Sequence, residues 1–136
     1  MKTLVLFYSF SGHTEAIAKE LAEKESADIA EIIGVRRIGK LKAYTAGIVG
    51  AIRGKAWAIL PLEVDWDKYE RLILLAPVWA DNPPPVFNAA LGLLPEDKTV
   101  AVKMVSASGK SKCKERIESA IIAKSCTLES FEDLKG

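Results

Sequence analysis

The run RLILLAPVW, from Arg71 to Trp79, has no polar residue after its first position. A strand with one wet face alternates apolar and polar residues. A strand this uniformly apolar is buried on both faces, as in a parallel sheet covered by helices on either side. Parallel neighbours need crossover connections, and those are most often helices. The flanking pattern fits. Thr3 to Tyr8 is a short, continuous apolar run and reads as a first strand. Thr14 to about Lys24 has helical spacing, with Glu15, Lys19, Glu20 and Glu23 on the wet side. Asp28 to Val35 alternates loosely and predicts a second strand. Val86 to Leu94 predicts a helix with a proline near its first turn. Thr99 to Val105 predicts the fourth strand, Ser111 to about Ala123 a helix with a basic first half, and Cys126 to Phe131 a fifth strand. Gly39 to Leu60 has helical spacing interrupted by glycines, so a loop and an imperfect helix are expected there. Strands alternating with helices define an α/β class: a three-layer, doubly wound parallel sheet of five strands.

The 136 residues suit a single domain, 1–136, with no repeat or linker. A formal net charge of +1 leaves no overall electrostatic footprint for nucleic acid or an anionic membrane. The apolar part of MKTLVLFYSF is shorter than a secretory h-region and runs straight into hydroxyl residues, so the expected location is cytoplasmic. Cys113 and Cys126 lack CxxC spacing and are expected to be free thiols. With His13 the only histidine, neither a zinc site nor a catalytic triad is expected, and no GxSxG elbow is present.

A parallel sheet of this kind binds ligands at the carboxyl ends of its strands. Three loops fall there: SFSGHT after the first strand, APVWADNPPP after the third, and SASGK after the fourth. In the first, a helix N-terminus offers free N–H groups and a partial positive charge, Gly12 lets backbone approach a ligand, and Ser9, Ser11 and Thr14 add hydroxyls. Such a loop can cradle a phosphate; it is equally an ordinary cap with Ser11 or Thr14 as N-cap. Neither GxxxxGK[ST] nor GxGxxG occurs, which excludes a P-loop and the dinucleotide fingerprint.

With these loops in place, the chain resembles the flavodoxin-like family. Ser9 to Thr14 is similar to that family's phosphate loop, and Ala76 to Leu91 to the segment after its third strand. Ser106 to Gly109 falls where its third flavin loop belongs. The resemblance implies the strand order 2-1-3-4-5 and FMN as cofactor. The phosphate is then expected on Ser9, Phe10 (through its backbone), Ser11, Gly12, His13 and Thr14. The ring is expected against Pro77, Val78, Trp79, Ala80 and Asp81, with Ser106, Ala107, Ser108 and Gly109 on the other side. Without these neighbours Trp79 would read as a core or interface tryptophan. The chain departs from the family pattern in three ways. Asp81 stands where the family often has glycine. SASGK has no tyrosine to cover the second ring face. The usual last helix is missing, which is expected to leave part of one sheet face bare unless Gly39–Leu60 or a second copy in a homodimer covers it.

The function implied is electron transfer by an FMN-binding flavodoxin-like protein, towards a redox partner protein or a small-molecule acceptor. Two alternatives are an FMN-dependent NAD(P)H:quinone-type reductase and a flavin-free binding domain on the same fold. The near-neutral charge departs from the strong acidity of a typical diffusing flavodoxin. No catalytic acid or base is expected, since the cofactor does the chemistry.

Overall fold

The computed structural model describes residues 2–36 and 38–136. Five strands form one parallel sheet: β1 (Lys2–Phe7), β2 (Asp28–Glu31), β3 (Tyr69–Pro77), β4 (Thr99–Ser106) and β5 (Thr127–Lys135). Their order is β2-β1-β3-β4-β5, as the resemblance implies. Alternate residues of β1, β3 and β4 divide the core between two faces. Val5, Phe7, Ile73, Leu75 and Ala101 meet Ala18 and Ala22 of α1 (His13–Lys24). Leu4, Leu6, Leu72, Leu74, Val100, Val102 and Met104 meet α4 (Pro85–Gly92) and α5 (Lys114–Ala123) on the other face. Residues from Leu72 to Ala76 are at most 1% exposed, so β3 is buried on both faces as its composition requires.

Between β2 and β3 the chain makes an excursion that the sequence pattern foreshadows only loosely. β2 ends at Glu31, short of the expected Val35. Ile32 still donates its N–H to Phe7 O at 2.7 Å, but the chain then leaves the sheet. Val35 N–H donates to Ala58 O and Leu60 N–H to Ile33 O, so residues 33–35 pair with 58–60 instead of with β1. This pairing staples the base of an arm. Along the arm run α2 (Lys40–Lys42), a π-turn (Ala43–Gly47) and α3 (Ile48–Ile52), the imperfect helix its glycines predict. Arg116 of α5 donates to Ala51 O (2.7 Å) and Ile52 O (3.2 Å), satisfying carbonyls at the helix end. Asn88 of α4 donates to Lys55 O at 2.9 Å.

The α1 face over β4 and β5 has no helix on it among the described residues, yet it is not apolar. Arg71 forks onto Glu129 (Nη2–Oε2 2.6 Å, Nε–Oε1 2.9 Å), and Lys103 pairs with Glu132 at 2.7 Å. The bare face is thus charged where it is uncovered, because β5 places Glu129 and Glu132 on that side while Leu128 and Phe131 pack into the cluster beneath α5. The Arg71 guanidinium holds the Glu129 carboxyl below its ordinary range. A depressed carboxylate contributes stability above its unfolded value and loses it as pH falls through the folded one. Glu129 is partly exposed, so the contribution is small. We expect Glu129→Gln to cost about 0.5–1 kcal/mol near neutral pH and nothing in acid or at high salt. Denaturant midpoints at several pH values check this; a cost that persists below the carboxylate range refutes it.

Candidate functional site

The first loop is organised around a glycine. Gly12 sits at φ 99° and is the N-cap of α1; no side chain caps the helix. The cap read for Ser11 or Thr14 is therefore not made; Gly12, free to adopt positive φ, holds the N-cap position instead. The ladder begins with Ala16 N–H to Gly12 O at 3.1 Å. Among the described residues, the N–H groups of His13, Thr14 and Glu15 have no protein acceptor. Ser9 Oγ accepts the Gly12 N–H at 3.1 Å, leaving its own proton free to donate. Ser11 Oγ lies 3.1 Å from His13 Nδ1, and both side chains are exposed. Thr14 is 2% exposed, the one polar residue in the buried set. The loop thus presents N–H and O–H donors, while Glu15 in the first turn of α1 pairs with Lys19 at 3.2 Å.

The second loop is a tight turn. Trp79 and Asn82 exchange both backbone hydrogen bonds (2.8 and 3.0 Å), with Ala80 at φ 48° and Asp81 at φ 66° between them. Two successive left-handed residues make a type I′ turn, a geometry that glycine or asparagine usually supplies. Asn82 Nδ2 steadies it by donating to Ala80 O at 2.7 Å. Asp81 O accepts from Lys112 N–H at 3.0 Å and from the Cys113 thiol at 3.4 Å. Cys113 is fully buried, and burial pushes its thiol up to about 11, so it is a packing group and not a nucleophile. Both cysteines are free and buried.

Trp79 connects the loops. Its ring meets Phe10 edge-on at 5.7 Å and Tyr8 at 6.1 Å between centroids. Burial raises the Tyr8 phenol to about 12, keeping it neutral. On a further side, a Cβ added to Gly47 would lie 2.8 Å from Trp79 Cζ3. Only glycine at the end of the π-turn lets the arm sit this close to the ring. We expect Gly47→Val to displace Trp79 and to cost about 1–3 kcal/mol by overpacking. Gly39→Ala, which meets nothing within 4 Å, is the control. Equal denaturation midpoints for the two variants would refute the contact.

The third loop is closed on itself. Ser106 Oγ accepts the Gly109 N–H at 3.0 Å, Ser108 Oγ accepts the Lys110 N–H at 3.2 Å, and Gly109 turns at φ 70°. Val78 N–H donates to Val105 O at 3.0 Å, so the second and third loops start side by side. The structure thus gathers Ser9, Phe10, Pro77, Val78, Trp79, Asp81 and Ser106 at one sheet edge. Ala107 and Ser108 stand exposed at its rim. Trp57 is anchored elsewhere. Its N–H donates to Pro85 O at 3.1 Å, and its indole packs beneath Gly50. There it walls two adjoining cavities of about 420 and 530 Å³ between the end of β2 and the arm. No aromatic contact joins it to Trp79 among the described residues.

Tyr8, Gly47, Asn82 and Lys112 are parts of the site that strand and loop patterns do not single out. Gly47 and Gly50, three apart in a helical pattern, carried the signal of a close helix approach. Among the described residues no cluster of His, Cys, Asp or Glu could hold a metal, and no helix is long and apolar enough to cross a membrane.

No family model and no curated protein matches the chain by sequence. Solved structures do match by shape. A flavoprotein from Lactobacillus acidophilus, solved in complex with FMN, superposes at a TM-score of 0.80 with 19% identity, covering 96% of this chain and 91% of that one. A flavodoxin from Streptococcus pneumoniae TIGR4 matches at 0.60 and 16% identity over 100% of this chain and 87% of its own. Oxidised flavodoxin 2 from Bacillus cereus matches at 0.56 and 18% identity, with coverages of 99% and 86%. At such identities the likeness concerns the fold, which is flavodoxin-like along the whole chain.

Proposed function

We propose that this chain of flavodoxin-like fold binds FMN at the loops ending β1, β3 and β4 and serves cytoplasmic electron transfer. The observation that carries the reading is the uncapped start of α1. Three N–H groups lacking a protein acceptor, the Ser9 and Ser11 hydroxyls and the near-buried Thr14 all fall within residues 9–15 at the start of α1. That donor set fits a phosphate dianion, which needs several charge-assisted hydrogen bonds. FMN-bound flavoprotein among the structural neighbours supports the choice of ligand. Bound FMN would supply the redox chemistry. The chain's own part is to hold the phosphate at Ser9–Thr14 and to offer Trp79, braced by Tyr8, Phe10 and Gly47, as an aromatic wall for the ring. Two buried free thiols accord with a reducing compartment.

One observation favours a second reading, an FMN-dependent NAD(P)H reductase. Trp57 is tied to Pro85 and Gly50 and makes no ring contact with Trp79 among the described residues, and SASGK holds no aromatic residue to cover a second ring face. A nicotinamide stacked on an open ring face transfers hydride at contact distance, where positioning alone lowers the barrier by several kcal/mol. Two measurements test the readings. A purified protein that retains no flavin absorption after incubation with FMN and removal of the unbound flavin by gel filtration refutes both. Given a flavin spectrum, anaerobic stopped-flow mixing with NADH and NADPH separates them: slow bleaching is the outcome expected of a carrier, and fast bleaching by either nucleotide establishes the reductase.

A further inference from the structure

The arm between β2 and β3 is built inside out. A surface helix ordinarily buries its large apolar side chains and exposes polar ones. Residues 40–52 do the reverse. They settle on the body through Ala43, Gly47, Gly50 and Ala51, all buried. To solvent they turn Leu41 (80% exposed), Tyr44 (71%), Ile52 (52%) and Val49 (46%). Small residues let the backbone approach Trp79 and Pro85, as the tight Cβ positions at Gly47 and Gly50 show. The cost of that approach is a set of large apolar side chains with nothing on them.

Charge marks the same surface. Between Glu31 and Glu63 the sequence has Arg36, Arg37, Lys40, Lys42, Arg53 and Lys55 and not one carboxylate. Across the Trp79–Asn82 turn, the loop after β4 adds Lys110, Lys112 and Lys114, with Lys112 N–H on Asp81 O. Arg36, Lys40, Lys42, Arg53, Lys55 and the three loop lysines are all exposed, and none enters an ion pair among the described residues. These eight exposed cations leave 11 of the chain's 19 for the rest of the sequence, against 17 carboxylates once Asp81 of the turn is set aside. A net charge near zero therefore conceals a basic pole at the edge where the loops meet and an acidic remainder.

We propose that this pole is the docking face for an acidic partner protein, with Leu41, Tyr44, Val49 and Ile52 as its apolar centre and the cations as its rim. An apolar centre with an exposed tyrosine inside a charged rim is the anatomy of a protein interface. The unpaired cations steer a partner of opposite sign and orient it before contact. A second copy meeting the same face by twofold symmetry would set cation against cation, so an isologous dimer here is disfavoured. Because Gly47 lies on Trp79, a docked partner sits beside the proposed flavin. That the partner exchanges electrons rests on the FMN reading; the docking itself does not.

The test is titration calorimetry with an acidic iron–sulfur ferredoxin as probe and basic cytochrome c as counter-probe, at about 0.01 M and about 0.3 M ionic strength. Expected is binding of the ferredoxin at low salt, weakened at least about tenfold at high salt, with none of the cytochrome. Lys40→Glu/Lys42→Glu and, separately, Leu41→Ser/Tyr44→Ser are each expected to lose at least about tenfold in affinity, with circular dichroism and FMN content unchanged. Cytochrome c binding as well as ferredoxin, or affinity unmoved in both variants, overturns the proposal. So does light scattering that shows a dimer lost in Leu41→Ser/Tyr44→Ser, which assigns the face to a second copy. Binding to phosphatidylglycerol vesicles in preference to ferredoxin assigns it to a membrane. Ferredoxin binding by a protein that takes up no FMN keeps the docking face and removes the flavin reading alone.

Discussion

Riboflavin is expected to bind at least about 100-fold more weakly than FMN, a difference of about 3 kcal/mol. The two ligands share the ring and the ribityl chain and differ only in the phosphate. Trp79, Phe10 and Tyr8 therefore treat them alike, and the whole difference falls on residues 9–15. Each hydrogen bond to a charged group is worth about 1.5–3 kcal/mol, and the first loop offers three free N–H groups besides its hydroxyls. Preorganisation adds to this. Ser9 already holds Gly12 N–H, and Gly12 already stands at φ 99°, so little ordering remains to be done on binding. Ser11→Ala should remove part of the difference, about 1–2 kcal/mol, because its hydroxyl engages only the exposed His13 ring in the protein itself. Fluorescence titration with both flavins measures it. Equal affinities would show that the start of α1 holds no phosphate.

The largest effect on stability is expected from Phe87→Ala, about 3–5 kcal/mol. Phe87 is fully buried and heads the set of large enclosed side chains in the cluster between the sheet and α4 and α5. Truncation removes an aromatic payload and leaves a cavity, because β3 and β4 on one side are hydrogen-bonded into the sheet and α5 on the other is tethered at both ends between β4 and β5. The site should suffer as well. α4 begins at Pro85, whose carbonyl holds Trp57 and whose ring lies against Gly50. The arm thus leans on the helix that Phe87 anchors. Guanidinium denaturation gives the loss directly; a change below about 1 kcal/mol would mean that the core repacks around the gap, contrary to the rigidity assigned to it.

How much of this was legible in the residues differs from element to element. β3 announces itself, since the eight apolar residues in a row from Leu72 to Trp79 have no other home than the middle of a parallel sheet. Gly12 among hydroxyls at the mouth of an amphipathic helix is legible too, because both the left-handed turn and the exposed donors are properties of a few consecutive residues. The turn at 79–82 was half legible. NPPP predicts a break, but Ala80 and Asp81 are poor forecasts of two left-handed residues, and the turn stands because Asn82, Lys112 and Cys113 hold it from elsewhere.

By itself, then, the sequence determined which segments are strands, which helices, and which loops carry donors, for these follow from periods of two and 3.6 and from the backbone freedom of single residues. Tertiary structure decided everything that depends on two distant segments meeting. It ended β2 at Glu31, because the next three residues find partners in Ala58–Leu60 and not in β1. It made the uncovered sheet face polar, by matching Arg71 and Lys103 with carboxylates of β5. It set the arm with small residues inward and large ones outward, because only glycine fits against Trp79 and Pro85 there. A helical pattern in the sequence has an apolar side; which side faces the protein is settled by the shape of what it must lie on.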